Sequence, residues 1–216
     1  MSTSQLEIYN AALTICGERT LHSVTGLSEN REPRHLLDNV WNNDGVRSCL
    51  ESGQWWFAMR AIELDYTTTI TPTTGYRRAF IKPTDWVVTS ALTEDEYHDV
   101  PHLRYVDEAG YWYSDLDVLF IRYVSNDPNY GGDLTKWSAK FADFVSAHFA
   151  SKIILKLTSD EDKRNGVFGH RKRTLLEAKN VDAMADPVKF LPSGSWTSAR
   201  GGRSNSDRGS RHRLIG

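Results

Sequence analysis

Cysteine is nearly absent from this sequence: Cys16 and Cys49 are its only two in 216 residues. Two distant thiols exclude a disulfide framework and, with no CxxC pair, a cysteine-built structural zinc site. Long apolar runs are missing as well. No stretch approaches the roughly 20 residues that a membrane-spanning helix needs, and residues 1–5 carry neither a basic segment nor the apolar run of a secretory signal. The expectation is a chain that folds in a reducing cytoplasm and has no membrane partner. Charge of one sign is lacking too. The 26 Lys and Arg face 28 Asp and Glu, a net −2, so the whole chain offers no uniform field to nucleic acid or lipid. Phosphate-cradling glycine patterns (GxGxxG or GxxxxGK[ST]) do not occur, nor does the GxSxG turn of a serine hydrolase. No catalytic group, metal site or cofactor is expected.

Aromatic residues are what the sequence has in quantity, and 15 of its 24 lie between 54 and 132. There the helical period gives way to short aromatic and β-branched runs at 61–66, 76–81, 86–89, 103–107, 111–113 and 117–124, separated by turn signals. Glu108-Ala109-Gly110 reads as a hairpin turn. The 117–124 run is apolar almost throughout and reads as a buried strand. A β region of this size can bury about half of fifteen large rings. The others are expected at its edges or in a subunit interface.

Helical sequence flanks this region. A first helix is expected over 4–16, opened by the Ser4/Glu7 capping box and closed by Gly17, with Leu6, Tyr9, Leu13 and Cys16 in one stripe. A second starts near Pro33 and carries Leu37, Val40 and Trp41, then Val46, Cys49 and Leu50. Asn42-Asn43-Asp44-Gly45 weakens its middle, where a kink or break is expected. A third spans 134–157, with Trp137, Phe141, Phe144 and Phe149 on a wide aromatic face. A fourth runs from a Ser159 cap to about 184, with Asp160, Glu161 and Asp162 in its first turn.

Residues 186–216 change character. Six Lys and Arg outnumber two Asp there, +4 on this segment and −6 on the remainder. Its apolar content is too low to offset the entropy of ordering it, so a basic, disorder-prone arm is expected. Phe190, Trp196, Leu214 and Ile215 are spaced among Arg200, Arg203, Arg208, Arg211 and Arg213. Apolar anchors along an arm suit a groove on a protein better than a phosphate backbone.

Groups that could carry chemistry are scattered. His98 and His102 are four apart, but Pro101 argues against the helix that would bring both to one metal. His148, on the apolar face of the third helix, reads as a satisfied core or interface histidine. Glu94, Asp95, Glu96 and Asp99, or Asp115 with Asp117, could serve glycoside hydrolysis if held at the right separation in a cleft. The plainer reading is a solvated acidic loop.

The order of parts resembles a known pattern. Helix, glycine, polar loop and second helix lead to Trp56-Phe57-Ala58-Met59-Arg60. Ala79-Phe80-Ile81-Lys82-Pro83-Thr84-Asp85-Trp86 follows, then a Tyr111-Trp112-Tyr113 hairpin and a strand ending Ile121-Arg122-Tyr123-Val124. Asp127-Pro128 leads into two more helices. This resembles the head-to-tail connector (adaptor) proteins of tailed bacteriophages, in particular the tail tubular protein A type of short-tailed phages. The likeness covers about residues 4–185. Members often carry leucine where Lys82 stands.

The resemblance implies an α+β fold: an antiparallel four-helix bundle from 1–53 and 133–185, a small antiparallel β region inserted at 54–132, and an extended C-terminal arm at 186–216. It implies a virion structural protein, not an enzyme, assembled in the host bacterial cytoplasm. The partners would be further copies of the chain in a ring of twelve, the portal protein above, the tail nozzle protein below, and viral DNA passing through the lumen without sequence-specific binding. The arm, with Phe190, Trp196, Arg200, Arg203, Arg208, Arg211, Arg213, Leu214 and Ile215, would dock on the portal. The faces of the third and fourth helices are the expected ring contacts. Two other readings stand beside it: a DNA-binding protein using the basic arm, and a virion-associated glycan hydrolase using Asp99, Asp115 or Asp117.

Overall fold

The structure, a computed structural model, describes residues 4–24, 31–72, 75–98, 100–158 and 160–185. Helix α1 (Gln5–Cys16) begins as the sequence dictates. The Ser4 hydroxyl accepts from the Glu7 N–H at 3.3 Å, and the Ser4 N–H donates to the Glu7 carboxylate at 2.9 Å. The next helical stretch breaks in two. Helix α2 (Glu32–Asn42) stops, Asp44 takes a left-handed φ of 58°, and α3 (Gly45–Leu50) starts afresh. Gly45 permits this return because a Cβ there would stand 2.5 Å from the Val40 carbonyl oxygen. After a 3-10 turn at Leu134–Lys136, Ser138 caps α4 (Ala139–Leu157). Helix α5 (Glu161–Ala185) follows, while its expected cap, Ser159, lies outside the described residues.

Six strands lie between the helices: β1 (Met59–Asp65), β2 (Arg78–Ile81), β3 (Trp86–Thr93), β4 (Val106–Glu108), β5 (Tyr111–Ser114) and β6 (Val118–Ser125). They form two antiparallel three-stranded sheets, in the orders β1-β6-β3 and β2-β5-β4. Along β6, Leu119, Ile121 and Tyr123 point one way, as the two-residue period requires. With Leu92 of β3 they pack against Phe80 and Trp112 of the other sheet, so the sheets share a core of their own. Val124 instead joins the helical core, together with Val87, Trp55 and Ala58.

This is a mixed α/β architecture, and it corrects the expected antiparallel four-helix bundle with a small inserted β region. Among the described residues there are five α-helices and two three-stranded sheets. Two physical causes separate expectation from structure. The kink or break expected at Asn42–Gly45 is a complete break that leaves two separate short helices, and α1, α2, α3 and α5 all pack on α4. The strand region is also more than an appendage, because the helical core takes in residues from it. Trp55 lies 4.7 Å from Phe141 and 6.3 Å from Phe144, ring centre to ring centre, and Val87 and Val124 belong to the same cluster.

Candidate functional site

The ends of the two most specific sequence motifs meet in space. Arg60 on β1 donates to the Asp85 carboxylate at 2.9 Å. The Tyr123 hydroxyl donates to the same carboxylate at 3.0 Å, and the Ser125 hydroxyl completes the set. Asp85 sits in the turn that opens β3, so this one side chain ties together the three strands of its sheet. Burial pushes the Asp85 carboxyl up, but the hydrogen bonds from Ser125, Arg60 and Tyr123 outweigh it and hold the group below the usual carboxylate range. Burial and the neighbouring Asp85 raise the Tyr123 phenol. A carboxylate so fully engaged by fixed donors is a brace, not a base.

Lys82 makes a second link, between the sheets. Its ammonium pairs with Asp107 and lies 3.9 Å from the centre of the Trp86 ring and 5.5 Å from that of Trp112. The other Asp107 oxygen accepts from Thr89 at 3.0 Å and from the Trp112 indole at 3.1 Å. The Lys82 side chain is only 6% exposed, so its charge survives burial through one carboxylate and two ring faces. Cations cover other rings likewise: Arg78 over Tyr66, Arg122 over Trp56 and Arg60 over Tyr130. The half-buried aromatics expected to be spare are therefore partly capped by the chain itself. Of the fifteen rings between 54 and 132, only Tyr97 is exposed.

One cluster has the order of a nucleophilic triad. The Ser114 hydroxyl lies 3.2 Å from His102 Nε2, and His102 Nδ1 lies 3.1 Å from the Glu94 carboxylate. His102 Nε2 also stands 2.8 Å from the Arg104 carbonyl oxygen. That oxygen is nearer to Nε2 than the Ser114 hydroxyl and competes with it for the same nitrogen, unlike the undivided serine–histidine contact of a triad. Ser114 is moreover fully buried. The cluster braces the loop between β3 and β4. Asp115 and Asp117 also hold structure: Asp115 accepts from the Arg77 N–H at 3.2 Å, and Asp117 pairs with Arg78 at 2.8 Å. Asp99, the third carboxylate of the hydrolase reading, lies outside the described residues.

Uncovered apolar surface concentrates in two places. Helix α5 has 25 residues, of which Val167, Thr174 and Ala178 alone are buried. Leu176 (63% exposed), Val181 (40%) and Met184 (83%) face solvent within an arc of about 140° on the helix. Two polar contacts hold α5 down: Lys140 to Glu177 at 2.9 Å, and the Trp56 N–H to Asp182 at 3.0 Å. Burial raises the Asp182 carboxyl. The second place is the β3–β4 loop, where Tyr97, Val100 and Leu103 are exposed next to Glu94, Asp95 and Glu96.

The portal-docking residues read from the sequence (Phe190, Trp196, Arg200, Arg203, Arg208, Arg211, Arg213, Leu214 and Ile215) lie outside the described residues. Cys49 is buried, Cys16 half-buried, and burial pushes their thiols up to about 12 and about 11, so neither is a nucleophile at neutral pH. His148 is buried as expected but not satisfied: neither ring nitrogen has a hydrogen-bond partner among the described residues. Among those residues no group of three His, Cys, Asp or Glu side chains is placed to hold a metal, and no helix is long and apolar enough to cross a membrane. Sequence reasoning missed the Arg60–Asp85 and Lys82–Asp107 pairs. The available signal was the charged residue closing or interrupting each aromatic motif. No protein-family model matches the chain, and no curated protein matches it.

Proposed function

We propose that this chain is a non-enzymatic virion protein, a head-to-tail adaptor that forms a ring between portal and tail nozzle and extends the DNA channel. The observation that carries the reading is α5, a 25-residue helix that leaves Leu176, Val181 and Met184 uncovered. A soluble protein seldom leaves such a face bare without a partner for it. A second copy presenting a different surface to it gives a heterologous contact, and such contacts close into rings. The order of motifs from residue 4 to 185 supports the same reading. The residues before 186 carry a net −6, which suits a lumen through which DNA slides without sticking.

The 186–216 arm docks on the portal through Phe190, Trp196, Leu214 and Ile215, with its arginines on acidic portal surface. Many identical arms in a ring multiply a weak contact through effective concentration. The test is cosedimentation of the full chain with portal rings of the same phage. Binding that is lost when these four apolar residues are changed to serine supports the docking role. Portal binding that ignores the change contradicts it.

The six-to-two excess of basic residues in the arm favours a second reading, a DNA-binding protein. Phosphate binding weakens steeply with salt. Duplex binding with a strong salt slope, and no association with portal, would favour that reading.

A further inference from the structure

Helix α4 carries His148, Lys152 and Lys156 at successive four-residue intervals, which places them on one face. That face looks across a slot of about 280 Å³ to the α2–α3 junction, where Asn39, Asn43, Asp44 and Ser48 form the opposite wall and Leu36, Val40 and Ile153 line its apolar part. His148 is 2% exposed and borders this slot, yet both its nitrogens lack a partner among the described residues. Buried polar groups without partners are rare and call for an explanation. Among the described residues Lys152 and Lys156 make no ion pair, while Lys140, on the same helix, pairs with Asp143 and Glu177.

We propose that this slot binds one oxyanion, a carboxylate or a phosphate group. Lys152 and Lys156 line the slot together with Asp44, its single carboxylate, so the lining carries a net positive charge and repels a metal ion or a cationic side chain. An oxyanion meets each open valence. It accepts from both lysines in charge-assisted bonds, from the His148 N–H, and from the Asn43 or Ser48 donors. The apolar wall accommodates the methylenes of a carboxylate-bearing chain. Burial, Arg171 and Lys152 push the His148 imidazole down to about 4, so it stands as a neutral donor at pH 7, and a bound anion raises its affinity for a proton.

The test uses the full-length chain labelled with 15N in histidine, with the His148 ring signals identified by loss in His148→Phe. Inorganic phosphate and sodium acetate are titrated separately at constant ionic strength, and protein concentration is varied in a third series. A saturable shift of the His148 signals with phosphate or acetate, weakened about tenfold or more by Lys152→Met with Lys156→Met, supports the site with a free anion as its source. A shift that follows protein concentration alone and is lost in the same double variant supports it with a carboxylate of a second copy as the source. No response in any series overturns the proposal. So does a response that survives the double substitution or is shared equally by the other histidines.

Discussion

At the scale of single residues, stability rests on a few buried polar joints. Asp85 is the densest, and Asp85→Asn should cost about 2–4 kcal/mol by leaving Arg60 with a weaker acceptor, read from urea unfolding at pH 7. Its folded carboxyl titrates below the unfolded value, so its contribution is fully present above about pH 4 and is lost as pH falls through the lower, folded value. The variant should flatten that limb of the stability curve. His148 acts in a different window. Its folded pKa of about 4 lies below the unfolded value of 6.5. Folded and unfolded chains differ in proton uptake between those values, so stability should fall as pH drops from about 6.5 to about 4 and then level off. His148→Phe should remove that decline. Gly131 is a steric joint. A Cβ there would lie 2.3 Å from the Ser125 carbonyl oxygen and 3.0 Å from Leu50, so Gly131→Ala should cost about 1–3 kcal/mol in the same assay.

Elements differ in how far they were legible. The capping box of α1, the break at Asn43-Asp44, the Glu108-Ala109-Gly110 turn and the buried strand β6 follow from short-range chemistry, and local sequence displays them. The architecture does not. Strand β6 pairs with β1, about sixty residues earlier in the chain, and no local period names such a partner. Nor does periodicity say that four helices gather on α4. The unsatisfied state of His148 was equally hidden, because an apolar helical face predicts burial but not the polarity of the opposite wall. Helix α5 gives the prediction proper to this scale. Leu176→Glu with Met184→Glu replaces side chains that are already exposed, so the isolated chain should keep its stability within about 0.5 kcal/mol. Sedimentation should nevertheless show loss of self-association on the portal. A large drop in the thermal midpoint of the free protein would instead mean that these residues pack internally.

The whole molecule combines an acidic body with a basic C-terminal segment, and the function proposed for it is assembly rather than turnover. The braces at Asp85, Lys82 and His102 stiffen the sheet region. Helix α5 and the β3–β4 loop leave apolar side chains uncovered, and the arm is proposed to supply a separate point of attachment. Because the ring contacts are proposed to be chiefly apolar, assembly should survive moderate salt, whereas binding through phosphates would not. The most direct test is electron microscopy of the full chain mixed with portal rings, with particle mass measured in parallel. The account predicts a closed ring of the chain stacked coaxially on the portal, absent with the Leu176→Glu, Met184→Glu double variant. Portal rings that remain bare beside an unassociated chain would contradict it.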